Sequence, residues 1–346
     1  MDYWQEYITE AAQPSYCCLA LIESCFMHCK MCYKWLEDVN IRKPDEPALE
    51  QWKQAVSDLA LLCKDNKPQI NFAGGEPLVR EETLVLIEHA QGLGFDTLLA
   101  TNAFLIDKNK AVEIGRSNLG NISISLDGFR PQTHDFMRGV TGAHEKVLKA
   151  IDFIKRFSPQ TNIYLNCVIC ELNMHEIIDL TKWADNDGRI NGLGFQALTQ
   201  PFSTPVEEFW YRNEKYASLW PKDIGKVNET MGQLYSLKLA NDFKAPFQIL
   251  NPANQFRAFK KYFNNPDKFI KKGRCHLDSW AINITPAGQV HLCFNMPSIG
   301  NIKSTSIKDM WNSDLARDVR GRIQLCRKNC QAMVNCNFDD SQSYSE

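Results

Sequence analysis

Three cysteines, Cys25, Cys29 and Cys32, form a C-x3-C-x2-C array directly after an apolar run. Three close thiolates suit an iron-sulfur cluster or a zinc ion. Closed sites mostly use four protein thiolates, so a compact set of three suggests a cluster with one iron left for a ligand that is not protein. Farther along comes Ala73-Gly74-Gly75-Glu76-Pro77. Two glycines let the backbone approach a ligand closely, and the Glu76 carboxylate can accept hydrogen bonds from an ammonium group. The same residues also spell an ordinary helix start, with an early proline and an acid favoured by the helix dipole. Ser123-Ile124-Ser125-Leu126-Asp127-Gly128 follows, then His134-Asp135 and Arg138-Gly139. Strand alternation points Ser123 and Ser125 to one face. Asn166 and Gln196 are polar residues within apolar runs, placed to face a cofactor or substrate or to be satisfied as core amides. A second set of thiols, Cys275, Cys293, Cys326, Cys330 and Cys336, lies near the C-terminus.

These residues need elements to hold them. Residues 15–22 (SYCCLALI) read as a buried strand whose C-terminal end leads into the first cysteine array. Residues 47–63 carry apolar side chains at helical spacing. Strand patterns recur at 69–73, 95–101, 121–126, 162–168 and 192–198, and helical patterns at 80–92, 107–116, 143–157 and 173–185. Six strand-helix units predict a parallel sheet with helices outside it, an α/β partial (β/α)6 TIM barrel, with function on the loops after the strand C-termini. Cys17, Cys18, Cys63, Cys167 and Cys170 fall within strand or helix patterns and read as core residues, the last two with side chains on opposite faces. His28 only lies between cysteines and His134 is placed in a turn, so neither is assigned chemistry. Residues 201–272 are broken by prolines and read as a helical bridge whose aromatic residues pack. The predicted division is a barrel over 1–200, the bridge over 201–272 and a small cysteine-rich unit over 273–346. Residues 1–14 read as a short helical lead-in, too short for a recognition domain.

The 346 residues are 44% apolar, enough for a sizeable core. The 39 basic and 41 acidic side chains are mixed along the chain, which offers no broad basic field for nucleic acid. A peptide, protein or small molecule is the expected partner. The first residues lack the basic start of a secretory signal, and no apolar run approaches the roughly eighteen residues of a membrane span, so a cytoplasmic location and no membrane partner are expected. Thirteen cysteines, an odd count, fit reduced thiols and metal ligation better than disulfides.

The Cys25–Cys32 array after the first strand and the GGEP motif after the second together resemble the radical S-adenosylmethionine superfamily. The resemblance implies that Cys25, Cys29 and Cys32 hold a 4Fe-4S cluster whose fourth iron is chelated by S-adenosylmethionine, and that Gly74, Gly75 and Glu76 lie against that molecule. Reductive cleavage would then give a 5'-deoxyadenosyl radical. It implies further that Met31 packs on the adenine, at a position often aromatic in the superfamily, and that Ser125 contacts the ribose. Arg138 would meet the methionine carboxylate, and a salt bridge to Asp135 or Asp127 is its other reading. Asn166 and Gln196 would face the cofactor or substrate. Thr101-Asn102-Ala103 stands where a TNG turn is usual. Cys275, the Gly288-x4-Cys293 hairpin and the Cys326, Cys330 and Cys336 group resemble the SPASM or Twitch extension. Five thiols cannot complete two four-thiolate clusters. One auxiliary 4Fe-4S centre is expected, from Cys275, Cys293 and two of the remaining three.

The resemblance implies an enzyme that abstracts hydrogen from a peptide or protein, with oxidation, epimerisation or decarboxylation of a small molecule as the alternative and ferredoxin or flavodoxin as electron donor. From another class, the thiols could instead stabilise a non-catalytic binding protein through zinc. No general acid or base is identified.

Overall fold

The computed structural model describes residues 13–32, 45–64, 66–200, 209–268, 275–326, 328, 330, 334 and 335. Residues 1–12, most of the expected lead-in, and the ligand candidate Cys336 lie outside the described residues. The first six strands are β1 (Tyr16–Ile22), β2 (Gln69–Gly74), β3 (Asp96–Thr101), β4 (Asn121–Ser125), β5 (Asn162–Ile169) and β6 (Gly192–Ala197). All five pairings among them are parallel and sequential. The helices between them are α1 (Leu49–Leu62), α2 (Thr83–Gly92), α3 (Lys108–Arg116), α4 (Pro131–Arg138), α5 (Ala143–Phe157) and α6 (Ile177–Asn186). This is the partial (β/α)6 barrel that the alternation predicts.

Each strand has two unlike faces. Cys17, Leu19, Ile70, Phe72, Leu99, Ile122, Ile124, Leu165 and Phe195 are buried on the helix-covered face, each such large side chain contributing roughly 1.5–3 kcal/mol by burial. Cys18, Asn71, Ser123, Ser125, Tyr164 and Asn166 alternate with them and are only partly covered, and Gln196 is exposed. They line the inner face. Cys18 therefore departs from its expected role: it faces inward beside Asn71, while Cys17 is the core residue. Cys167 and Cys170 are both fully buried.

Two features depart further from the sequence pattern. The residues around His134 form a helix, α4, opened by Pro131 at its first turn and closed by Gly139 in the left-handed conformation at φ 69°. The sheet does not end at β1. Strand β7 (Ala281–Ile284) pairs in parallel with the other edge of β1, and β8 (Gln289–His291) and β9 (Gly300–Asn301) continue antiparallel, giving nine strands in the order β6-β5-β4-β3-β2-β1-β7-β8-β9.

The intervening segment contributes α7 (Glu214–Ala217), α8 (Ile224–Ala240) and α9 (Ala253–Asn264). Most of its described aromatic residues pack as expected, with Trp210, Phe256, Phe259, Tyr262 and Phe263 buried, whereas Phe209 is exposed. It is not wholly helical, because the chain near Ile249 runs parallel to β6, with Leu193 N–H donating to Gln248 O (3.0 Å) and Leu250 N–H to Leu193 O (3.0 Å). The amide of Asn251 then pairs with both backbone groups of Phe195, at 2.7 and 2.9 Å. The amide of Asn335 does the same for Ala197, at 2.7 and 2.8 Å. Side-chain amides thus finish the outer edge of β6, an edge that would otherwise expose unpaired backbone groups. The C-terminal unit adds α10 (Leu277–Trp280), α11 (Ile307–Trp311) and α12 (Asp314–Gln324). Asp58 of α1 ties it to the barrel by accepting from Ile307 N–H at 3.1 Å.

Candidate active site

The loop after β1 carries Cys25, Cys29 and Cys32 at the C-terminal end of the barrel. Burial pushes the Cys25 thiol up to about 12, and Cys29, Glu76 and Cys32 are near enough to push the same way. The three cysteines pack in one small cluster with Met27 and Ala143. Among the described residues, no group of three or more His, Cys, Asp or Glu side chains closes on a single metal-ion position.

Two glycine contacts fix the loop. A Cβ on Gly75 would lie 2.0 Å from Ser24 O, and one on Gly139 would lie 2.5 Å from His28 O. Lys30 N–H also donates to Met137 O at 2.8 Å. The end of α4 is thus the platform on which the cysteine loop rests. Met31 is partly covered and packs beside Met27 and Cys29.

Glu76 is buried and holds the barrel top together. Oε1 accepts from Leu78 N–H (3.1 Å) and Thr101 Oγ1–H (2.7 Å), and Oε2 accepts from Asn102 N–H (2.8 Å). Burial raises its pKa, and these three donors oppose the rise. Its carboxylate bridges the turns after β2 and β3. Ala103 takes up the left-handed conformation usual for glycine there, at φ 60°, and its N–H donates to Thr101 Oγ1 at 3.0 Å.

The two readings of Arg138 are narrowed by its neighbours. Asp135 accepts from Gly142 N–H (2.6 Å) and His144 N–H (2.8 Å) at the start of α5. Asp127, fully buried, instead faces Arg138 Nη2 at 2.6 Å. Arg138 Nη1 lies 3.9 Å from Cys29 Sγ. Its burial lowers the guanidinium pKa, and Asp127 and Cys29 more than reverse this. His134, buried in α4, accepts from Asp127 N–H through Nδ1 at 3.1 Å.

Below this rim the inner face is aligned by register. Ser125 pairs with Asn166 and Asn166 with Gly194. On the other side Asn71, Cys18, Asn283 and His291 stand in one row across β2, β1, β7 and β8. Asn283 and His291 were invisible to sequence reasoning as members of this row, since a pairing between β1 and β7 leaves no local pattern. Gln196 is on the same face near the β6 edge.

In the C-terminal unit, burial raises the Cys293 thiol, and Cys330, Cys275 and Cys326 lie near enough to add to the rise. These four cysteines lie in one region of the unit without closing on a single metal-ion position. Asn295 N–H donates to Cys293 Sγ at 3.4 Å, and its side-chain amide lies 3.8 Å from Cys330 Sγ. Gly288 turns the preceding hairpin at φ 81°.

A parallel partial barrel carries three cysteines after its first strand and is joined along that strand to a second cysteine-bearing unit. The Radical SAM superfamily profile matches residues 19–184 and that of the SPASM iron-sulfur cluster-binding domain matches residues 275–337, and the chain belongs to the radical SAM superfamily with a SPASM extension. It is 25% identical to the pre-heme d1 synthase of Dinoroseobacter shibae, over 91% of this chain and 78% of that protein. It is 23% identical to the PqqA peptide cyclase of Rhodopseudomonas palustris, over 85% and 72%. In fold it resembles Streptococcus suis SuiB, solved bound to precursor peptide SuiA, with a TM-score of 0.66 and 16% identity over 94% of this chain and 70% of that one. The protein is an enzyme whose cofactors are S-adenosylmethionine and 4Fe-4S clusters. When bound, they supply reductive cleavage of a carbon-sulfur bond. Among the described residues no helix is long and apolar enough to cross a membrane.

Proposed function

We propose that this enzyme abstracts hydrogen from a peptide or protein held against the inner face of the barrel. Cys25, Cys29 and Cys32 hold the cluster that binds S-adenosylmethionine, with Met31, Gly74, Gly75 and Ser125 around that molecule and Glu76 fixing the turn. Cys275, Cys293, Cys326 and Cys330 hold an auxiliary 4Fe-4S centre. Electrons come from a low-potential carrier of the ferredoxin or flavodoxin type.

The observation that carries the substrate class is the chemistry of the inner face. The eight strands β1–β8 contain no Lys, Arg or Glu, and Asp96, at the start of β3, is tied to Gln69 and Asn121. What remains is mostly amides and hydroxyls, Asn71, Asn166, Gln196, Asn283, Ser123, Ser125 and Tyr164, together with Cys18 and His291. Such groups match the donors and acceptors of a peptide backbone. The second reading, a tetrapyrrole as in the heme synthases among the relatives, would bring several carboxylates to strands that offer no lysine or arginine, at a desolvation cost.

The test is formation of 5'-deoxyadenosine by the reduced, anaerobically reconstituted enzyme, with a cell-derived peptide pool and separately with an iron porphyrin carrying free carboxylates. Stimulation by the peptides, with deuterium moving from labelled peptide into 5'-deoxyadenosine, is expected. Stimulation by the porphyrin alone overturns the peptide reading.

A further inference from the structure

We infer that Arg138 is a positioning residue for the first cluster: it acts on the iron held by Cys29, through its charge against that sulfur, and the buried Asp127 sets how much of the charge is felt. This rests on Cys25, Cys29 and Cys32 holding the cluster. The guanidinium has one nitrogen, Nη1, 3.9 Å from Cys29 Sγ and another, Nη2, 2.6 Å from Asp127 Oδ2. The arginine side chain is 11% exposed and Asp127 is not exposed at all, so neither charge is screened well by water.

The surroundings hold this geometry. Asp127 Oδ1 accepts from Val168 N–H at 2.9 Å, and its backbone carbonyl accepts from Asn173 Nδ2 at 2.6 Å. Its own N–H donates to His134. Arg138 is the last residue of α4, and the next, Gly139, lies directly under His28 of the cysteine loop. The arginine is therefore fixed relative to the loop by backbone as well as by charge.

A cation next to a cluster thiolate stabilises the state with one more electron. Charge and hydrogen bonding at cluster sulfurs are among the factors that set iron-sulfur potentials. Arg138→Gln should make the first cluster harder to reduce, and Asp127→Asn, which leaves the arginine uncompensated, should make it easier.

The experiment is a redox titration of the full chain followed by electron paramagnetic resonance without S-adenosylmethionine, the first cluster being identified afterwards as the signal that the cofactor perturbs. R138Q is expected to lower the reduction equilibrium tenfold, 59 mV for a one-electron couple. R138K, which keeps the charge, should fall less, and D127N should move upward. An R138Q cluster with the wild-type potential overturns the inference, as does tenfold weaker S-adenosylmethionine binding without any shift, which would assign Arg138 to the cofactor. If R138Q loses its cluster, D127N decides: an upward shift supports the inference and none overturns it. Wild-type protein whose iron content is unchanged by replacing Cys25, Cys29 and Cys32 with Ala overturns the underlying ligand assignment as well.

Discussion

His134 shows how a single side chain acquires a pH signature from its surroundings. Burial lowers its pKa well below the ordinary histidine value, and the charges facing it, Arg138 on its own helix and His144 on α5, lower it further. The imidazole is neutral in the folded protein and uses Nδ1 as an acceptor. Below about pH 6.5 the unfolded chain takes up a proton that the folded one refuses, so stability falls as pH falls, by up to about 1.4 kcal/mol per pH unit. The expected result is a urea midpoint that drops between about pH 7.5 and about pH 5.5, and drops less in H134N, whose Oδ1 can still accept from Asp127 N–H. His144, also lowered by burial, retains the remainder of the slope in that variant. The sequence shows His134 shortly before the RG pair but not its burial. A turn and a helix differ there by where Pro131 and Gly139 fall, and the apolar pattern between them is too short to decide.

At the scale of elements, α4 matters more than its length suggests, because its C-terminal turn is the surface on which the cysteine loop lies. Gly139 combines a left-handed backbone with a close approach to the loop, since any Cβ there would meet His28 O at 2.5 Å. G139A adds about 1–2 kcal/mol of backbone strain and displaces the loop. Iron per chain should fall by one cluster while far-ultraviolet circular dichroism is unchanged, and full iron content in G139A would show that the loop adjusts freely. The long strands and helices were legible because their apolar spacing is regular, and the two cysteine sets because thiolates at those spacings have few other uses. Element ends shifted by a residue or more, as where the helix expected over 173–185 begins at Ile177. The role of Glu76 was legible only in part. Its position at the turn is written in GGEP, but the use of its carboxylate to hold Thr101 and Asn102 depends on how close the next turn comes.

For the whole molecule, the C-terminal unit meets the barrel at both edges of its six-stranded sheet. Strand β7 lies along β1, and the Asn335 amide completes β6 at Ala197. N335A would leave two backbone groups of Ala197 without these partners, at a cost of about 1–3 kcal/mol for each group kept from water. A lower urea midpoint is expected, along with faster amide exchange at Ala197 than at Leu193, whose partners are backbone. Equal exchange at the two sites would show that Asn335 does not guard the edge. None of this was legible from spacing, since β1 and β7 belong to opposite ends of the chain and an asparagine that imitates a strand carries no periodic mark.

The central place of β1 also bears on biosynthesis. One of its two neighbours, β7, follows it in the chain only after the entire barrel and the helices behind it have been made. Contacts between such distant parts of a chain form late and slowly, so during translation the strand that leads into the cysteine loop has an open edge. A nascent chain halted before residue 281 would present β1 with one unpaired edge to whatever else can pair with it.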